Sequence, residues 1–145
     1  MPANLRRAEA DFAAQALAAS LELATTVEDA VRAADLAIDF VPDELESKLE
    51  IFSMIDRMAP PKTILCTPSE ALSITDLASC VYRPDRCFAV RGGLAAGSNA
   101  RLLYPAAADG EALTAMQGFL HSLGIEAQTE ADPDAPMLMK NLAGK

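Results

Sequence analysis

Leu36-Ala-Ile-Asp-Phe-Val-Pro-Asp-Glu-Leu-Glu-Ser-Lys-Leu-Glu-Ile-Phe52 is the stretch that decides the fold of this chain. It opens with a short apolar run, Leu36 to Val41, which Pro42 breaks where a strand would pass into a turn. From Glu44 the period changes. Leu45, Leu49, Phe52, Ile55 and Met58 recur at helical spacing, with Glu46, Lys48, Glu50 and Asp56 between them as the expected solvent face. A strand feeding a helix across a tight turn is half of a βαβ unit. In open α/β sheets ligands lie off the carboxyl ends of such strands, so Phe40 to Asp43 is where a bound molecule is expected.

The flanking sequence extends the same alternation. Upstream, Leu5 to Ser20 has high helix propensity, Leu21 to Thr26 is short and β-prone, and Thr26 is placed to cap a helix over Val27 to Ala34. Downstream, Pro60-Pro61 stops the central helix, and Thr63 to Thr67 reads as a strand ended by Pro68. Ser73 is an N-cap for a short helix that must end by Pro84, and Cys87 to Val90 reads as a buried strand closed by Gly92-Gly93. Leu102 to Tyr104 is a further short strand. Asp109 caps a helix from Glu111 to Leu123 with Gly124 as its stop, and Ile125 to Thr129 suits a last strand. Strands alternating with helices at this spacing imply an α/β fold with a mostly parallel sheet. The expected division is an N-terminal helix (1–20), one α/β domain (21–129) and a tail (130–145).

Composition narrows the partners. The 145 residues are 51% hydrophobic and only 5% aromatic, so a core rich in Ala, Leu, Ile and Met is expected. A formal net charge of -9 argues against nucleic acid and against a membrane surface. No apolar run reaches the roughly 20 residues that span a bilayer. Cys66, Cys80 and Cys87 are odd in number and lack CxxC spacing, which points to free thiols in a reducing cytoplasm. One histidine and scattered cysteines give no metal-ligand spacing, so no metal is expected.

Two further features are weighed on the residues alone. His121, the only histidine, lies beside the apolar stripe of its helix and reads as a solvent-edge or packed side chain. Gly92-Gly93 and Gly97-Ser98-Asn99 form the one Gly-rich loop, flanked by Arg91 and Arg101. No helix N-terminus follows it to hold a phosphate, which favours a loop stripped of large side chains over an anion site.

Four motifs in order and in register carry a resemblance. Ala33-Ala-Asp-Leu-Ala-Ile-Asp-Phe-Val-Pro-Asp-Glu-Leu-Glu-Ser-Lys48, Ala59-Pro-Pro-Lys-Thr-Ile-Leu-Cys-Thr67, Leu72-Ser-Ile-Thr-Asp-Leu-Ala78 and Arg83-Pro-Asp-Arg-Cys87 are similar to the NAD-binding domain of the 3-hydroxyacyl-CoA dehydrogenases. The likeness runs from about Leu21 to about Gly124. It implies a Rossmann-like, mostly parallel sheet with flanking helices and, in active members, oxidation of an acyl-CoA 3-hydroxyl by NAD with a His base oriented by a Glu.

Against that pattern, several family features are replaced. No glycine precedes Gly92, so the Gly-x-Gly-x-x-Gly turn of the first βαβ unit is absent, and the fold is expected to be an incomplete version with that unit missing. By the resemblance the substrate-contacting Ser falls on Glu70, the His on Arg91, and its partner Glu on Leu103 or Tyr104. Glu70, Arg91 and Tyr104 are thus vestigial positions, and no catalytic residue is assigned. Asp43 and Lys48 match positions on the nicotinamide side of the cofactor. With Phe40 and Val41 they would bind NAD if the family function were kept, but the expectation is that no cofactor is held. An ion pair between Glu70 and Arg91 is expected in the old site.

In the family's strand order the missing strand would lie beside Leu36 to Val41, which leaves that strand with an open side. The N-terminal helix, the segment Leu21 to Thr26 or a second chain must cover it. A homodimer, or a partner chain on this edge, is the expected outcome.

Overall fold

The computed structural model describes residues 21–132. Within them the order is α1 (Val27–Val31), β1 (Leu36–Ile38), α2 (Leu45–Met58), β2 (Ile64–Pro68), α3 (Ile74–Ala78), a 3-10 turn (Pro84–Arg86), β3 (Cys87–Arg91), β4 (Asn99–Tyr104), α4 (Gly110–Ser122) and β5 (Glu126–Ala131). The helix expected over Leu5 to Ser20 and most of the tail lie outside the described residues.

The five strands form one sheet in the order β1-β2-β3-β4-β5. β1, β2 and β3 run parallel, β4 turns back against β3, and β5 runs parallel to β4. The mostly parallel α/β sheet expected from the sequence is therefore present. Two apolar layers sandwich it. Ala37, Leu65, Ala89 and Leu103 meet Val31, Phe52, Ile55 and Leu77 of α1, α2 and α3 on one face. Cys66, Phe88, Val90 and Leu102 meet Ala112, Met116 and Leu120 of α4 on the other.

Local chemistry sets the boundaries. Thr26, Ser73 and Asp109 cap their helices through side-chain oxygens that accept from the amides of Asp29, Asp76 and Ala112. Gly92 turns β3 toward β4 at φ +91, and a Cβ there would meet the Asn99 carbonyl at 2.5 Å. Only glycine fits that place. On the outer strand β5, Glu126, Gln128, Thr129 and Ala131 are exposed.

Several expectations are corrected. Leu21 to Thr26 is not a strand: Leu21 to Ala24 have no regular structure and are exposed, and among the described residues no strand pairs with them. β1 stops at Ile38 rather than Val41, since the Asp39 carboxylate accepts from the Val41 amide at 3.3 Å and turns the backbone out of the ladder. α1 ends at Val31, short of Ala34, while β4 begins at Asn99 and β5 runs on to Ala131, each extended by pairing with the other. Lys48 and Asp56 do not face solvent as the period of α2 suggested; both are buried. Asp56 is met by Arg83, whose Nε donates at 2.8 Å and whose remaining donors take the carbonyls of Asp56, Ala59, Pro60 and Thr63. That guanidinium closes the C-terminal end of α2, where carbonyls lack helical partners.

Candidate functional site

The polar site positions taken from the family resemblance gather, with one exception, off the carboxyl ends of β1, β2 and β3. Asp39 follows β1 and faces α2, where Lys48 reaches it: Nζ donates to Asp39 Oδ1 at 2.8 Å and to the Pro68 carbonyl at 3.3 Å. The Lys48 side chain is 1% exposed and that of Asp39 2%. Asp39 Oδ2 and the neighbouring Thr67 Oγ1 are buried without a hydrogen-bond partner among the described residues. A pair so enclosed is fixed by geometry rather than by net gain, since desolvation offsets much of the attraction.

Asp43, in the turn before α2, faces the loop after β2. Ser69 Oγ donates to its Oδ1 at 2.6 Å and the Glu70 amide donates to its Oδ2 at 3.0 Å. Partial burial raises the Asp43 pKa, but the Ser69 hydroxyl, the Glu70 amide and the charges of Lys48 and Arg91 outweigh it and hold the carboxyl below its ordinary value.

Arg91 ends β3 and is itself buried. Nη1 donates to the Ser69 carbonyl at 2.9 Å and Nη2 to the Leu72 carbonyl at 3.0 Å. The expected ion pair with Glu70 is not formed. The Glu70 carboxylate instead accepts from the Gly92 amide at 3.0 and 3.3 Å, because the β3–β4 turn presents that N–H to it. With Ser69 Oγ also accepting from the Leu72 amide at 3.0 Å, the loop from Ser69 to Leu72 is clasped from three sides.

Tyr104 is the exception. Antiparallel pairing sets Arg91 opposite Arg101, so Tyr104 lies three residues further along β4. That is about 10 Å from the Arg91 level. Phe40 and Val41 are at the site's outer margin, with Phe40 73% exposed. They line a groove of about 350 Å³ along the side of β1 away from β2, walled by Val27 and Val31 of α1 and Ile51 and Ile55 of α2.

His121 is at the solvent edge, its Nδ1 2.8 Å from the exposed Glu126 carboxylate. Burial pushes the Cys66 thiol up to about 12, with the Asp39 charge adding to it, and raises Cys87 still further. Among the described residues no group of His, Cys, Asp and Glu is placed to hold a metal, and no helix is long and apolar enough to cross a membrane. Asp39 escaped the sequence reading; an acid at the end of an apolar strand, with a lysine one element later, was its only signal.

Comparison with known proteins bears on this arrangement. Residues 3–91 match the family described as 3-hydroxyacyl-CoA dehydrogenase, NAD binding domain. A probable 3-hydroxybutyryl-CoA dehydrogenase of Bacillus subtilis is 35% identical over 66 residues, which is 46% of this chain and 23% of that protein. The 3-hydroxyadipyl-CoA dehydrogenase of Escherichia coli is 37% identical over 57 residues, 39% of this chain and 12% of that one. This chain thus aligns with less than a quarter of either curated relative's length. Among solved structures, a diketoreductase superposes with a TM-score of 0.75 at 22% identity, over 96% of this chain and 53% of its own. The 3-hydroxybutyryl-CoA dehydrogenase of E. coli K12 gives 0.71 at 19% identity, over 89% and 29%. These two likenesses establish the fold alone.

Proposed function

Because this chain belongs to the 3-hydroxyacyl-CoA dehydrogenase NAD-binding domain family, we propose that it is a member in which the fold serves as a binding module and the dehydrogenase chemistry has been given up. The observation that carries this reading is the state of Arg91. A guanidinium takes no proton from a hydroxyl, and this one has both terminal nitrogens committed to the carbonyls of Ser69 and Leu72. It works as a clasp where the resemblance calls for a base.

The residues that would meet a dinucleotide do not fit one well. Lys48 is enclosed by Asp39 and the Pro68 carbonyl, and each Asp43 oxygen is already engaged by the loop after β2. The 145 residues hold no glycine ahead of Gly92 to let a backbone approach a pyrophosphate. In this reading no NAD is held, and a second chain, either another copy or a different protein, covers the side of β1. The buried free thiols suit a reducing, cytoplasmic compartment.

Titration with NADH, followed by fluorescence, and an assay with acetoacetyl-CoA and NADH test the proposal. The expected result is neither saturable binding nor turnover. Micromolar NADH affinity in the isolated chain would end it.

A second reading makes the chain a component of an NAD-dependent 3-hydroxyacyl-CoA dehydrogenase of fatty acid metabolism, completed by another polypeptide. It is favoured by Asp43 and Lys48 standing at the carboxyl end of β1, in the crevice where α/β sheets take ligands. Turnover that emerges only on mixing with a co-purified chain would select it.

A further inference from the structure

β1 is unpaired on one side among the described residues, and the hydrogen bonds of its other side show which groups remain. The Ile64 amide donates to the Asp35 carbonyl at 3.0 Å and the Asp39 amide to the Cys66 carbonyl at 3.2 Å. In a parallel ladder alternate residues address opposite neighbours, so Asp35, Ala37 and Asp39 turn to β2. The N–H and C=O groups of Leu36 and Ile38 face the open side.

Three properties of that side describe an occupant. It is apolar, with Val27, Val31, Ile51 and Ile55 as one wall of a groove whose rim carries the exposed Phe40. A second hollow of about 330 Å³ shares Val27, Val41 and Ile51 with it and is bordered by Glu50. It holds spare acceptor capacity: Asp39 lines the groove with its charge paired to Lys48 through Oδ1, while its buried Oδ2 has no hydrogen-bond partner among the described residues. Its surroundings are also acidic. Glu28, Asp35, Glu44 and Glu50 are exposed on the adjoining elements, whereas Arg32 is already paired with Asp29 and Lys48 is enclosed by Asp39.

We infer that the open side of β1 docks an extended segment of a different protein, apolar on alternate residues and bearing Lys or Arg, which adds a strand to this sheet. Main-chain bonds to Leu36 and Ile38 give the segment its register, the groove takes its apolar side chains, and its cationic side chains meet the exposed acids Glu28, Asp35, Glu44 and Glu50 around the groove. A second copy of this chain fits less well, because two-fold pairing sets the same acids against one another. The inference rests on the binding-module reading and names its partner by chemistry.

A short fluorescein-labelled peptide of alternating valine and lysine, titrated into the full chain and followed by anisotropy, is the probe. Its counterpart has glutamate in place of lysine. Saturable binding of the lysine peptide, at least about tenfold tighter than the glutamate peptide, is expected, as one charge-assisted contact commands. Ile38→Pro removes an outward N–H and leaves the bonds to β2 intact, a substitution edge strands tolerate. It is expected to abolish binding while circular dichroism keeps the parent's shape and the melting temperature falls only by what the partly buried Ile38 side chain contributes to its cluster. Hydrogen exchange adds a readout that needs no variant: the amides of Leu36 and Ile38 gain protection when the peptide is added.

Equal binding of the two peptides, binding of neither, or binding indifferent to Ile38→Pro would overturn the inference. So would strong protection of Leu36 and Ile38 in the free chain. Sizing then separates a second copy from the chain's own residues 1–20 as the cover. NADH affinity, measured separately, reports on the binding-module reading, so the two failures are distinguishable.

Discussion

Replacing Arg91 by methionine tests the clasp at the ends of β2 and β3 most directly. Methionine keeps an apolar stem of similar length and deletes the guanidinium, so packing changes little and the two bonds to Ser69 and Leu72 are lost. Hydrogen bonds to a charged partner contribute about 1.5–3 kcal/mol each. The Ser69 contact is buried while the one to Leu72 is only partly so, which trims the sum, and we expect a loss of about 3 kcal/mol. For a domain of this size that is a fall in Tm on the order of 10 °C. Urea unfolding followed by circular dichroism measures it, and hydrogen exchange locates it: the amides of Glu70 and Leu72 should speed up before those of β2 and β3. Arg91→Lys should fall between, because an ammonium lacks the planar fork that spans two carbonyls. A methionine variant within about 0.5 kcal/mol of the parent, the range of an ordinary surface change, would refute the argument that this side chain holds the loop.

Further outcomes follow from other groups. Lys48→Met strands the buried Asp39 carboxylate and should cost about 3–5 kcal/mol in urea unfolding, much of it recovered in the double variant Lys48→Met with Asp39→Leu. The folded pKa of Asp43 is depressed, so its contribution is present above the ordinary value of 3.8 and is lost as pH falls through the folded value; Asp43→Asn should flatten the acid limb of the stability profile there. Iodoacetamide on the folded chain should label Cys80, which is exposed, well ahead of Cys66 and Cys87, with the rate rising toward alkaline pH because burial raises its pKa too. Mass spectrometry of the peptides reads the order directly.

The fold was legible where one residue type has one physical use. Thr26, Ser73 and Asp109 announce helix starts, Pro60-Pro61 announces a stop, and all four signals hold. The strands of β2 and β3 were legible because residues buried on both faces read as continuous apolar runs. That Asp43, Lys48, Glu70 and Arg91 gather at one end of the sheet was legible; the bonds each of them makes were not. Counting the period of α2 assigns Lys48 and Asp56 to water, since the count knows nothing of what the helix packs on; partners on other elements, Asp39 and the Pro68 carbonyl for Lys48, Arg83 and the Tyr82 amide for Asp56, make their burial tenable. Glu70 and Arg91 were rightly placed as neighbours, but backbone groups competed for both, and two opposite charges near one another did not suffice to predict a pair.

The outer strand β5 has a consequence for stoichiometry. Its exposed Glu126, Gln128 and Thr129, together with Glu130 held by Arg101, make that border a poor template for another strand. Endless growth by sheet-to-sheet stacking needs two adhesive borders, and this molecule offers one. With one border closed to further pairing, strand addition at β1 would end after a single partner and would not propagate into a fibre.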